Sequence, residues 1–136
     1  MLSSHKEGFY EITMKLFILE DELAMLEVLT KYCMSNGFEV TSWSEGMVAG
    51  KKILAAKPDL IIIDSLIPGK TGLQALGDAR KLGVTAPAVL LTNSPLEDFN
   101  GEQLKTLDVQ ASIAKASTSL SNILSVITGI LNKLPA

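Results

Sequence analysis

The segment DLIIIDSLIPGKTG, residues 59–72, decides how the chain is read. Its core, Leu60-Ile61-Ile62-Ile63, is too short for a helix and continuously apolar. That is the pattern of a central parallel strand covered on both faces. The strand ends in a carboxylate, Asp64, and a few residues on comes Gly69-Lys70-Thr71, the last letters of a nucleotide-binding phosphate loop. Either backbone amides wrap a polyphosphate here, or Asp64 itself takes a phosphoryl group. The phosphate-loop motif needs a glycine or alanine five residues before its Gly-Lys pair, and that position is Asp64. A carboxylate there repels phosphates, and Pro68 has no amide hydrogen to offer them. The loop reading fails, and the carboxylate stays.

Outward from this strand, short apolar runs alternate with helix-period segments. Lys15-Leu16-Phe17-Ile18-Leu19 predicts a first strand ending in Glu20-Asp21-Glu22. Leu26, Leu29 and Cys33 share a helix face stopped by Asn36-Gly37, and Phe38 to Trp43 alternates like a half-buried strand. A second helix is expected over residues 44–56, before Lys57-Pro58, and a third over 72–82, with Gly83 as its left-handed stop. Ala88-Val89-Leu90-Leu91 reads as the fourth strand. Ser94-Pro95-Leu96-Glu97 has the letters of a helix start, although Asn100-Gly101 interrupts the segment. A weak strand, Ala111 to Ala114, precedes a helix striped by Leu120, Ile123, Leu124, Ile127, Ile130, Leu131 and Leu134. Strand–helix alternation of this kind predicts an α/β fold, a doubly wound parallel sheet with helices on both faces.

Composition narrows the function. A chain of 136 residues with 47% hydrophobic and 20% charged residues is one ordinary globular domain. Its net charge of −3 argues against direct nucleic-acid binding, which needs a basic face. No apolar run approaches the roughly 18 residues that span a bilayer, and the first residues lack a signal-peptide pattern. No membrane association and a cytoplasmic location are therefore expected. Met14 opens the first patterned segment, so residues 1–13 are expected to be a disordered extension and 14–136 the domain. The lone histidine, His5, falls in that extension, which excludes histidine catalysis in the core. The lone cysteine, Cys33, is expected as a small buried residue.

In a doubly wound sheet the reactive crevice lies beyond the carboxyl ends of the strands. Those ends carry Glu20-Asp21, Asp64, Thr92 and Lys115. Singly, each reads as a capping, turn or surface residue. Together, clustered acids are tolerated mainly around a divalent cation, and magnesium suits few carboxylates and several waters. A carboxylate beside such an ion and a lysine can attack phosphorus to give an acyl phosphate. A flavin site is disfavoured, since EDELAM after the first strand is acidic rather than rich in Ser, Thr or Gly.

These residues carry a resemblance. Glu20-Asp21 after an apolar strand, Asp64 followed by Ser-Leu-Ile-Pro-Gly-x-x-Gly, Thr92 after Val-Leu-Leu, and Lys115 together resemble the receiver domain of bacterial two-component response regulators. The resemblance covers nearly all of residues 14–136 and implies a flavodoxin-like, chemotaxis-regulator-like sheet of order 2-1-3-4-5. It implies Asp64 as phosphoacceptor, with Mg2+ on Asp21, Asp64 and the Leu66 backbone carbonyl, and Glu20 acting through water. It implies that Lys115 pairs with a phosphoryl oxygen and that Thr92 turns its hydroxyl onto the phosphate.

Implied partners are a sensor histidine kinase or histidine phosphotransfer protein, a downstream protein target, and a second copy meeting through the last strand and helix. The only residues here that support that dimer face are Val126 and Ile130. Two positions depart from the family: Ser112 replaces the usual Tyr or Phe, and Ala116 the usual proline. Neither Leu66 nor Ser94 can orient a hydrolytic water, which predicts slow self-dephosphorylation by a phosphoacceptor that is not a turnover enzyme. Asn93 stands where the family prefers a small residue, which would hinder small phosphodonors. Two other readings remain: a pseudo-receiver that binds partners without phosphate, and an aspartyl-phosphate hydrolase, whose usual D-x-D motif is Glu-Asp-Glu here.

Overall fold

The computed structural model describes residues 13–135. The disordered extension expected at 1–13 lies, Thr13 apart, outside the described residues. Five strands form one parallel sheet: β1 (Lys15–Leu19), β2 (Glu39–Trp43), β3 (Leu60–Asp64), β4 (Ala88–Thr92) and β5 (Val109–Ala114). Their order is β2-β1-β3-β4-β5, as expected. The helices between them are α1 (Leu23–Ser35), α2 (Ala49–Ala56), α3 (Gly72–Lys81), α4 (Gly101–Thr106) and α5 (Leu120–Leu131).

Side chains along a strand alternate between faces, so each apolar run feeds two cores. Leu16, Ile18, Leu60, Ile62, Val89 and Leu91 pack against α1 and α5. Phe17, Leu19, Ile61, Ile63, Ala88 and Leu90 pack against α2 and α3. This is why β3 could be continuously apolar: every one of its residues is buried. Cys33 is buried in the first core, and burial pushes its thiol up to about 11. Val126 and Ile130, the residues offered for a dimer face, are partly buried against that same core.

Two helix starts differ from expectation. Residues 44–48 form a loop rather than the first turn of α2, with Gly46 donating its amide to the Pro68 carbonyl at 3.0 Å. A Cβ on Gly46 would sit 2.7 Å from the Lys70 carbonyl oxygen, so backbone contact between the two loops displaces the helix start. Ser94-Pro95 does not begin α4 either. One 3-10 turn, Leu96–Asp98, comes first, and Asn100 caps the helix by accepting from the amides of Glu102 (2.9 Å) and Gln103 (3.2 Å). Two orphan amides satisfied by one side chain favour the later start.

The Gly-Lys-Thr letters find their use here. Thr71 is the N-cap of α3, accepting from the Gln74 amide at 3.2 Å, while Gln74 accepts from the Thr71 amide at 2.9 Å. Gly69 takes the positive φ of 88° that the turn requires. Gly72 lets the start of α3 lie directly on the end of β3, its amide donating to the Ser65 carbonyl at 3.1 Å. A Cβ at Gly72 would overlap the Asp64 carbonyl oxygen and an Ile63 methyl. Gly72→Ala is therefore expected to lower stability by about 1–3 kcal/mol or more through forced backbone movement. Urea unfolding should show a lower midpoint with an unchanged slope.

Candidate functional site

The carboxyl ends of β1, β3, β4 and β5 converge as the topology requires. Glu20, just past β1, donates its amide to the Trp43 carbonyl at 3.1 Å, which carries the β1–β2 ladder one residue further. Its side chain turns inward and is 0% exposed. Glu20 Oε2 accepts from the Glu22 amide at 2.9 Å and from Lys115 Nζ at 2.8 Å. Asp64, the last residue of β3, is 4% exposed. It accepts from Lys115 Nζ at 2.9 Å on Oδ2 and from the Leu66 amide at 3.2 Å on Oδ1. Asp21 is exposed, yet one oxygen each from Glu20, Asp21 and Asp64 lie within 4.8 Å of one another.

Packing like charges together perturbs them in opposite directions. Burial, set against the Lys115 contact and reinforced by Asp64, pushes Glu20 up to about 7. Burial and the neighbouring Asp64 also raise Asp21. Asp64 feels the same burial, but the Lys115 ammonium and the Leu66 amide donate to it, and its pKa is held below the usual carboxylate range. Burial pulls Lys115 down, but its two carboxylate partners more than offset this and raise it. The result is an ionised Asp64 beside a glutamate that takes up a proton near neutrality.

Thr92 and Lys115 meet on the backbone, the Lys115 amide donating to the Thr92 carbonyl at 2.9 Å. The Thr92 hydroxyl is buried, and its oxygen accepts from the Ser94 amide at 2.9 Å and from the Ser65 hydroxyl at 3.0 Å. Ser65 was missed at the level of sequence because a serine after a strand reads as a turn residue. The Asn93 side chain, expected to obstruct access, has its oxygen on the Ala116 amide at 2.9 Å, bridging the β4–α4 and β5–α5 loops. That amide exists because position 116 is not proline.

A family model described as "Response regulator receiver domain" matches residues 16–127. The chain belongs to this family.

Receiver domains bind Mg2+ at an acidic pocket and work within two-component systems, and this receiver carries the acidic cluster. It is similar to the alkaline phosphatase synthesis transcriptional regulatory protein PhoP of Bacillus subtilis (strain 168), 30% identical over 78 residues. That match covers 57% of this chain and 32% of the relative. It also resembles the transcriptional regulatory protein DltR of Streptococcus agalactiae, 27% identical over 112 residues, covering 81% of this chain and 50% of the relative. The receiver thus spans half or less of the length of these two relatives. In three dimensions it superposes on the BeF3-activated N-terminal receiver domain of Klebsiella pneumoniae RstA with a TM-score of 0.77. Identity there is 25%, with coverage of 88% of this chain and 99% of that one. Among the described residues no helix is long and apolar enough to cross a membrane.

The cluster fits a divalent cation on its own chemistry. Three oxygens converge, and Glu20 Oε1 is buried without a hydrogen-bond partner. An orphaned buried acceptor is costly, and a cation or its bound water would satisfy it. Because the metal needs the ionised cluster, a proton on Glu20 competes with it. The raised value gives the sign: the competing proton is present below about pH 7 and lost above it. Mg2+ binding is expected to tighten about tenfold from about pH 6 to pH 8. Calorimetric titration checks this, and Glu20→Gln should flatten the dependence.

Proposed function

We propose that the chain is the phosphoacceptor of a two-component system, with Asp64 taking a phosphoryl group from a histidine kinase or histidine phosphotransfer protein. The observation that carries this is the ionised, buried Asp64 sharing the Lys115 ammonium with Glu20. An Asp64 carboxylate oxygen attacks phosphorus, a new P–O bond forms, and the P–N bond to the donor imidazole breaks as the ring regains a proton. With acetyl phosphate the leaving group is acetate. Asp21, Asp64 and the Leu66 carbonyl would hold Mg2+, with Glu20 acting through a bound water. The ion would neutralise the equatorial oxygens in transfer.

Lys115 already bridges the acceptor, so it is placed to follow the charge as it moves from carboxylate to phosphoryl oxygen. Thr92 supplies a hydroxyl to another of those oxygens. Each chain accepts one phosphoryl group per cycle and releases it to water, which makes it a signalling component rather than a turnover catalyst. The switched partner is a downstream protein. Ser112 and Ala116 favour a second reading, a module that binds its partner without phosphate, because no aromatic ring stands at 112 to report on Thr92.

Incubation with Mg2+ and acetyl phosphate or phosphoramidate should add one PO3 unit to the intact mass, and Asp64→Ala should abolish the adduct. No adduct even with a cognate kinase would support the phosphate-independent module, and rapid donor turnover without an adduct would support the hydrolase. Decay of the adduct should be slow, because Leu66 is 68% exposed beside Asp64 and offers an attacking water no hydrogen-bonding group. Leu66→Asn is expected to accelerate it several-fold, followed as loss of the phosphorylated mass with time.

A further inference from the structure

We propose that Ser65 is a positioning residue that sets the Thr92 hydroxyl as a hydrogen-bond donor for a phosphoryl oxygen on Asp64. This rests on the phosphoacceptor reading and adds to it a residue next to the acceptor in the chain. A hydroxyl has one proton to give and two lone pairs to fill. On Thr92 both lone pairs are taken, by the Ser65 hydroxyl at 3.0 Å and the Ser94 amide at 2.9 Å. The remaining hydrogen bond can only run outward from Thr92, and a phosphoryl oxygen can only accept.

Water does little to scramble this arrangement, since Ser65 is 6% exposed and Thr92 4%. Ser65 is a rigid platform. Its amide donates to the Leu91 carbonyl on β4 at 3.0 Å, and its carbonyl accepts from Gly72 at the start of α3 at 3.1 Å. The Thr92 main chain is fixed as well, by the Lys115 amide on its carbonyl and by the Asn93–Ala116 bond one residue beyond. With both backbones held, hydroxyl orientation is the freedom left to settle, and Ser65 settles it. With its own proton uncommitted, the Thr92 hydroxyl gives up no hydrogen bond of its own donation when it turns toward incoming charge.

The test compares Ser65→Ala with the parent in two titrations: Mg2+ alone, and beryllofluoride, a phosphoryl mimic, at saturating Mg2+. Amide NMR spectra of the labelled chain give both affinities, and thermal melts confirm folding. The expected result is beryllofluoride affinity lowered about fivefold, the worth of one hydrogen bond, with Mg2+ affinity within about twofold of the parent. In a Thr92→Ala background the same Ser65 change should have no further effect, since the two act through one bond. Unchanged beryllofluoride affinity in Ser65→Ala would reduce Ser65 to packing. Tighter binding would make it a brake, and an equal loss of Mg2+ affinity would mean general damage to the pocket; each of these overturns the proposal. A parent that binds Mg2+ but never beryllofluoride would instead remove the phosphoacceptor reading beneath it.

Discussion

The molecule depends on one ammonium group shared by two buried carboxylates. Glu20 and Asp64 end neighbouring strands, and placing both in the crevice sets charge against charge at a few ångströms. At an effective dielectric of about 20, two unit charges about 4 Å apart repel by roughly 4 kcal/mol. Lys115 opposes that cost with contacts of 2.8 and 2.9 Å, and the Glu22 and Leu66 amides add donors from the loops. The compensation is partial, which is why Glu20 still climbs to about 7 while Asp64 stays ionised. A pocket stable with all its charges matched would have no reason to take a cation. This one holds three acids against one nearby ammonium, with an acceptor oxygen left over.

Strand order makes that arrangement reachable. Lys115 lies 95 residues from Glu20 and 51 from Asp64, just past an edge strand that pairs with neither β1 nor β3. Only a long side chain starting from the end of β5 can cross above β4 to both carboxylates. Register matters as much as order. Asp64 pairs with Leu91, so Ser65 donates its amide to that residue and its hydroxyl to Thr92. A slip of one residue would turn the apolar alternation of β3 inside out and dismantle the Ser65–Thr92 contact with it.

The parts legible in the sequence are those fixed by local pattern plus one topological rule. The isoleucine run named β3, and strand–helix alternation named the doubly wound sheet. The residues at the carboxyl end of each strand then gathered Glu20, Asp21, Asp64, Thr92 and Lys115, which the structure does bring together. What escaped was set by contacts between distant segments. A helix over 44–56 fits the pattern, but the approach of Gly46 to Lys70 holds residues 44–48 out of α2. Ser94-Pro95-Leu96-Glu97 has the letters of a capping box, but Asn100 caps two amides and starts α4 later. Ser65 and Asn93 were invisible as partners because their bonds run to Thr92 and Ala116, 27 and 23 residues away.

The same contacts define how stiff the region around Thr92 is. On one side Ser65, Lys115 and the Asn93–Ala116 bond tie it to β3 and β5. On the other lies a single 3-10 turn and then α4, a six-residue helix with no fully buried side chain. The far end of α4 is not loose. Arg80, half-buried on α3, donates from Nε and Nη2 to the Leu107 carbonyl at 3.0 and 2.8 Å, and from Nη1 to Val84 at 3.0 Å. Burial lowers that guanidinium, with Asp108 opposing the shift, so the clamp is held by carbonyls more than by an ion pair. The helix is therefore pinned at its C-terminal end, while its N-terminal end rests on the Asn100 cap. Between these anchors the chain is held by local bonds, the Ser94 amide on the Thr92 hydroxyl and the Asp98 amide on the Pro95 carbonyl at 3.0 Å, so this segment owes its course to its own residues rather than to the sheet.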